Sequence, residues 1–166
     1  MTYLLFAALI ALGIVVLLMI MANRPHYHKN VTLPQIRVHL HALLKRGYDG
    51  GFIIIEDMKS EKFVQYAKYI KDKGNIGLEL SFPRASWSET YYEKLKDFLR
   101  SQNIPFRVQP VDSETVTEFI DIDCHSNIEL ALHLVEGIFC NIFHIEDPSF
   151  RVRGENISAR DELIDS

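Results

Sequence analysis

The first 23 residues contain no Lys, Arg, Asp or Glu, and from Tyr3 through Ala22 they are almost wholly apolar. An α-helix needs about 20 apolar residues to cross roughly 30 Å of hydrocarbon, because in lipid the backbone must satisfy its own hydrogen bonds. The run has that length, and residues 3–22 are expected to span a bilayer as a single helix. A cleaved secretion signal is the competing reading. It calls for a basic leader, an apolar core of about 7–15 residues and small residues before the cut. Here no basic residue precedes the run, and Met19-Ile20-Met21-Ala22-Asn23 lacks an A-x-A pattern. Retention as an anchor is therefore expected. Arg24, Lys29, Arg37, Lys45 and Arg46 all follow the span. Since the Lys/Arg-rich flank stays in the cytoplasm, the expected location is the cell inner membrane, single-pass, with the C-terminal domain cytoplasmic.

All 18 basic and 22 acidic residues lie beyond the span, and the formal charge is −4. A general nucleic-acid binder would present a basic face, so nucleic acid is not an expected partner. The remaining chain, about 140 residues, suffices for one domain with its own core. Cys124 and Cys140 sit among apolar neighbours without C-x-x-C spacing and read as buried free thiols. The glycines form neither G-x-G-x-x-G nor a Walker loop, and no cofactor is expected.

Residues 24–31 are polar, include Pro25 and read as a juxtamembrane linker. Thr32 with Gln35 matches a capping box, and Ile36, Leu40, Leu43 and Leu44 recur on one helical face as far as Arg46. Gly51 to Ile55 is a β-branched run that reads as a strand. Residues 62–70 match strand and helix spacing alike; Val, Tyr and Phe enrichment with turn chemistry at both ends favours a strand. Ile76, Leu78, Leu80 and Phe82 alternate with Gly77, Glu79 and Ser81, a half-buried strand that Pro83 is expected to stop. Ser86 and Glu89 suggest a second capping box, with Trp87, Tyr91, Leu95, Phe98 and Leu99 as the apolar stripe. Short strands are expected at 106–109 and 115–124, then a last helix from Ser126, apolar around most of its circumference. From Asp147 the chain is polar and loses period, so 147–166 reads as a tail. The outcome is an α+β domain over residues 32–146, in the order α-β-β-β-α-β-β-α, with a five-stranded antiparallel sheet.

Phe52-Ile53-Ile54-Ile55-Glu56-Asp57 leading to Lys62-Phe63-Val64-Gln65-Tyr66-Ala67, Gly77-Leu78-Glu79-Leu80, and Phe119-Ile120-Asp121-Ile122-Asp123 before a capped helix ending at Ile138-Phe139 carry a resemblance. Over roughly residues 33–145 the chain resembles the type III secretion chaperone-like and YbjN-like domains. The resemblance implies a non-catalytic, often dimeric module that binds another polypeptide. The anchor departs from the soluble secretion chaperones.

Several constellations bear on chemistry. His26/His28 and His39/His41 form two H-x-H pairs, but helical positions two apart diverge too far for His39 and His41 to share a metal. Asp121 and Asp123 project from one side of a strand and offer either a cation site or the wet face of a sheet. Cys124-His125 pairs a thiol with a base, yet adjacent strand residues point oppositely. Trp87, Tyr91 and Tyr92 form an aromatic cluster near a helix start, suited either to the core or to an interface in which Trp87 and Tyr91 are the anchors. On the over-apolar last helix, whichever of Leu134 and Ile138 faces outward is expected to make contact, so that a charge there disrupts association without unfolding. No catalytic or metal residues are assigned. The function expected is a membrane-anchored, non-catalytic protein-binding module (adaptor, assembly factor or accessory subunit of a membrane complex) whose partner is a protein or a second copy. The alternatives are an immunity protein neutralising a toxin at the inner membrane, and a small membrane-tethered metal-dependent enzyme using Asp121, Asp123 and nearby histidines.

Overall fold

A computed structural model describes residues 26–71 and 74–158 of the chain. The expected span at 1–23 lies outside the described residues, and no described helix is long and apolar enough to cross a membrane. The fold is α+β, and the described residues form one antiparallel seven-stranded sheet and three α-helices. In chain order the elements are β1 (His26–Val31), α1 (Leu33–Arg46), β2 (Gly47–Asp57), β3 (Phe63–Lys71), β4 (Asn75–Ala85), α2 (Glu89–Ser101), β5 (Arg107–Pro110), β6 (Val116–His125), α3 (Ile128–Glu136) with a π-helical turn (Gly137–Ile142), and β7 (Phe150–Ile157). Across the sheet the strands lie in the order β1-β7-β2-β3-β4-β6-β5.

Two expectations are corrected here. The supposed linker at 24–31 contains strand β1, and the supposed tail at 147–166 contains β7, so the sheet has seven strands rather than five. β7 lies between β1 and β2 and pairs with both, Val152 facing His28 on one side and Ile55 on the other. Its Phe150 and Val152 are completely buried while Arg151 and Arg153 alternate with them. That period of two is legible in Phe150-Arg151-Val152-Arg153, but four residues of pattern do not reveal a strand without the partner that needs them.

The other elements follow their local chemistry. Thr32 N–H donates to Gln35 Oε1 at 2.8 Å, the reciprocal half of the expected capping box, and Pro34 occupies the first turn of α1. Residues 63–71 form a strand, launched by a turn in which Asp57 Oδ2 accepts from Ser60 N–H at 2.7 Å and Lys59 N–H at 3.1 Å. β4 runs past Pro83 to Ala85, because the β3 pairing ends at Ser81 and Pro83 faces only β6, opposite Phe119. The second capping box does not form. α2 begins at Glu89 after Ser88, whose Oγ donates to the Pro83 carbonyl at 2.6 Å and accepts from Ala85 N–H at 2.9 Å, and Glu89 pairs with Arg84 instead. α3 is capped by Asn127, which accepts from Leu130 N–H at 3.0 Å.

All three helices contribute to one apolar core with the same sheet face. Ile36, Leu40 and Leu43 of α1, Tyr92, Leu95 and Leu99 of α2, and Ala131, Leu134, Val135 and Ile138 of α3 and its π turn meet Ile53, Ile55, Val64, Tyr66, Leu78, Leu80, Phe82, Ile120 and Ile122. Tyr66 ties α3 down, its hydroxyl donating to the Ala131 carbonyl at 2.8 Å inside the core. At Gly137 the Phe98 ring lies where a side chain would begin, 2.4 Å from an ideal Cβ, so this close approach requires glycine. Arg37 of α1 and Glu129 of α3 form a two-pronged pair, Nη2 to Oε2 at 2.7 Å.

Lys68 also points to this side, 5% exposed, and its Nζ donates to the Gly47 carbonyl at 2.6 Å. Burial holds its pKa below the ordinary lysine value, and Asp49 offsets only part of that. Between the lowered value and the ordinary one the unfolded chain binds more protons, so this group's contribution to stability improves as pH rises through that window. Lys68→Met, measured by urea unfolding, should therefore gain most over the wild type near neutral pH, the gain shrinking as pH approaches the ordinary lysine value. A difference independent of pH would sink this account.

Candidate functional site

Residues paired directly across antiparallel strands point to the same face. The register therefore defines the sheet face opposite the helices row by row. One row crosses the whole sheet: Tyr27, Arg153, Ile54, Gln65, Ser81, Asp121, Arg107. Beside it run Glu155, Phe52, Ala67, Glu79 and Asp123. On the other flank lie Arg151, Glu56 and Phe63, and Pro83, Phe119 and Gln109. Phe52, Ile54, Ala67 and Phe119 are partly exposed, and among the described residues no helix covers them. A seven-stranded sheet with helices on one side leaves such a face by construction.

The face is organised by two polar clusters. On the β7 side, the buried Glu56 accepts from Arg151 Nη2 at 2.6 Å and Nε at 3.1 Å, with Arg153 at 3.4 Å. On the β4–β6 side three carboxylates crowd together. Asp121 accepts from Ser81 Oγ at 2.7 Å, and Glu79 pairs with Arg107. Asp123 accepts from the Tyr69 hydroxyl at 2.6 Å and from His125 N–H at 2.8 Å, with Lys71 Nζ at 3.6 Å. Desolvation and the neighbouring Asp121 charge push the Glu79 carboxyl above its ordinary value, and Arg107 cancels only part of this. Asp123 lies below its ordinary value despite desolvation, because the Tyr69 and His125 hydrogen bonds favour its charged form. The cluster is thus anionic, two cations, Arg107 and Lys71, facing three carboxylates.

The expected site residues separate. Trp87 is 39% exposed in the turn before α2, against Phe63 at 5.0 Å and Phe82 at 6.0 Å between ring centroids. Tyr91 is half-buried, edge-on to Phe143 at 5.0 Å, with Lys62 Nζ 4.6 Å from its ring centre. Leu134 and Ile138 are completely buried, so neither faces outward and neither is available as an interface residue. The apolar excess of the last helix is taken up by α1, α2 and the sheet.

Asp121 and Asp123 share one side of β6, as their spacing requires. Among the described residues no group of three or more His, Cys, Asp or Glu side chains gathers to hold a metal ion. The histidines are redistributed: His28 of β1 meets His39 of α1, ring centroids 4.7 Å apart, while His41 is exposed. The Cys124 thiol is in the core, pushed up to about 12 by desolvation and then by Asp123, which opposes thiolate formation. The alternation of 76–82 already placed Glu79 and Ser81 on a wet face. Arg151, Arg153 and Glu56 were not foreseeable as a cluster, because they meet only through the β2–β7 pairing.

Comparisons with protein-family models, with curated proteins and with solved structures gave no match to this chain.

Proposed function

We propose that the protein is a membrane-anchored, non-catalytic docking module, tethered through residues 3–22 on the cytoplasmic side of the inner membrane. The uncovered sheet face receives a polypeptide with a basic contact surface, and the protein serves as an adaptor, assembly factor or accessory subunit of a membrane complex. The observation that carries this reading is the uncovered face itself. Partly exposed Phe52, Ile54, Ala67 and Phe119 offer apolar area, and the adjoining carboxylates Glu79, Asp121 and Asp123 exceed the cations that face them. A basic side chain from a partner relieves that crowding. The likeness to chaperone-like modules that bind polypeptides is in keeping with this use of the domain. An immunity protein holding a toxin at the membrane is the same physical proposal with a different basic partner.

Ile54 stands mid-face between Arg153 and Gln65. Ile54→Lys places a like charge against a basic partner and removes an apolar contact worth about 1.5 kcal/mol or more, which is roughly tenfold in affinity. In mild-detergent purification of the tagged full-length chain, a stoichiometric co-purifying protein should be lost from this variant while thermal unfolding is unchanged. Undiminished capture by Ile54→Lys would remove the sheet face from the reading.

A further inference from the structure

We propose that the β1–β7 edge of the sheet rests on an anionic lipid surface, so that the sheet stands on the bilayer with its acidic side away from it. This rests on the reading of residues 3–22 as a membrane anchor. Only Asn23, Arg24 and Pro25 separate that run from His26, the first residue of β1. At no more than about 3.6 Å per residue the chain between Ala22 and His26 reaches roughly 14 Å, so the edge strand starts within the headgroup region or just above it.

Charge is graded across the sheet in the same direction. β1 and β7 carry Lys29, Arg151 and Arg153 against Glu155, with Glu56 of the neighbouring β2 pairing with the two arginines, so one positive charge is left over. On the far side, β4, β5 and β6 carry Glu79, Glu118, Asp121 and Asp123 against Arg84 and Arg107. The strand order puts these sets at opposite sides, with the basic one at the strand that emerges from the anchor. Each basic residue near an anionic surface contributes about fivefold to association, and the acidic side is repelled from it.

The edge also has the side chains of an interface. Tyr27 is 45% exposed, and Lys29 Nζ stands 5.6 Å from its ring centre. Tyrosine beside a cation suits the headgroup layer, where the ring meets acyl chains and the ammonium meets phosphates. Desolvation is the largest single influence on the Tyr27 phenol and raises its pKa, but Lys29 and Arg151 together outweigh it and hold the value below the ordinary one. Addition of another strand is discouraged on this edge. The register shifts between His28 and Val31, Asn30 has φ 55°, and Lys29 is exposed, all devices that blunt edge-to-edge pairing.

The test uses the full chain carrying Trp87→Phe and Tyr27→Trp, so that one tryptophan reports from the edge. It is reconstituted in vesicles of phosphatidylcholine brominated at shallow acyl positions, with or without phosphatidylglycerol. Quenching should be several-fold stronger with phosphatidylglycerol, weaken at high salt, and lose its lipid dependence when Lys29→Glu and Arg153→Glu are added. Hydrogen exchange of the β1 amides in the wild-type chain, slower in phosphatidylglycerol vesicles than in phosphatidylcholine, gives the same answer should the reporter variant fold poorly. Equal quenching and equal exchange in both lipids, in a chain that resists carbonate extraction, overturn the proposal and leave the anchor standing. A chain that carbonate extracts overturns the anchor and this proposal with it. Protection of β1 that depends on protein dilution and not on lipid charge assigns the edge to a second copy and overturns the proposal.

Discussion

Ending the chain after Asp147 is expected to abolish the fold rather than trim a tail. Strand β7 is interior to the sheet, hydrogen-bonded to β1 on one side and β2 on the other. Without it, β1 has no partner and β2 becomes an edge that exposes Ile53 and Ile55, both completely buried in the intact domain. Phe150 also closes the core, edge-on to Phe139 with centroids 4.8 Å apart. Phe150→Ala alone should cost about 3–5 kcal/mol, a large part of the roughly 5–15 kcal/mol that holds an ordinary domain together. In urea this should appear as a lower midpoint with little change in slope, while the truncated chain should show no cooperative transition. A truncated protein that unfolds cooperatively near the wild-type midpoint would contradict the role given to β7.

The second large effect is at Leu134. Its side chain is completely buried among α1, α3 and the sheet. Leu134→Ala should lower stability by about 2–5 kcal/mol and leave a folded protein. Leu134→Asp adds roughly 2–7 kcal/mol for an unpartnered polar group, and the chain should be largely unfolded at neutral pH. A buried carboxyl has its folded pKa raised, so the folded state binds the extra proton. The deficit should therefore shrink as pH falls through that raised value toward the ordinary carboxylate range. Circular dichroism of the two variants from neutral to acidic pH reads this out. Any loss of association by Leu134→Asp would then come from unfolding, in contrast to Ile54→Lys, which changes the surface and spares the core.

The local elements were legible because each is written in a short stretch of chain. The Thr32/Gln35 cap, the apolar face of α1, the alternation of 76–82 and 115–124 and the β-branched 51–55 run depend on neighbours within one turn or two residues. Even residues 62–70, which matched two periods, were decided by their flanking turns, and the strand forms at Phe63–Lys71. The second helix start was misplaced by two residues, because Ser88 answers to the carbonyl of Pro83 across a turn and Glu89 to Arg84, partners that no spacing rule supplies.

The candidate site was legible only in part. Asp121 and Asp123 share a face by the period of two, and Trp87 is an exposed aromatic, both readable from the chain. The expectation that Leu134 or Ile138 faces outward failed because an apolar circumference states how much area a helix must bury, not what buries it. Here α1, α2 and the sheet do so from several sides.

Sequence by itself determined the charge-free apolar run at 1–23, the identity of most elements and the antiparallel α+β class. Only the tertiary structure decided that 26–31 and 150–157 are strands, that the sheet has seven members, and which face is left open. Local pattern sets which way a side chain points, whereas a strand's existence depends on a partner that supplies its hydrogen bonds. For β1 and β7 those partners lie more than a hundred residues apart in the chain.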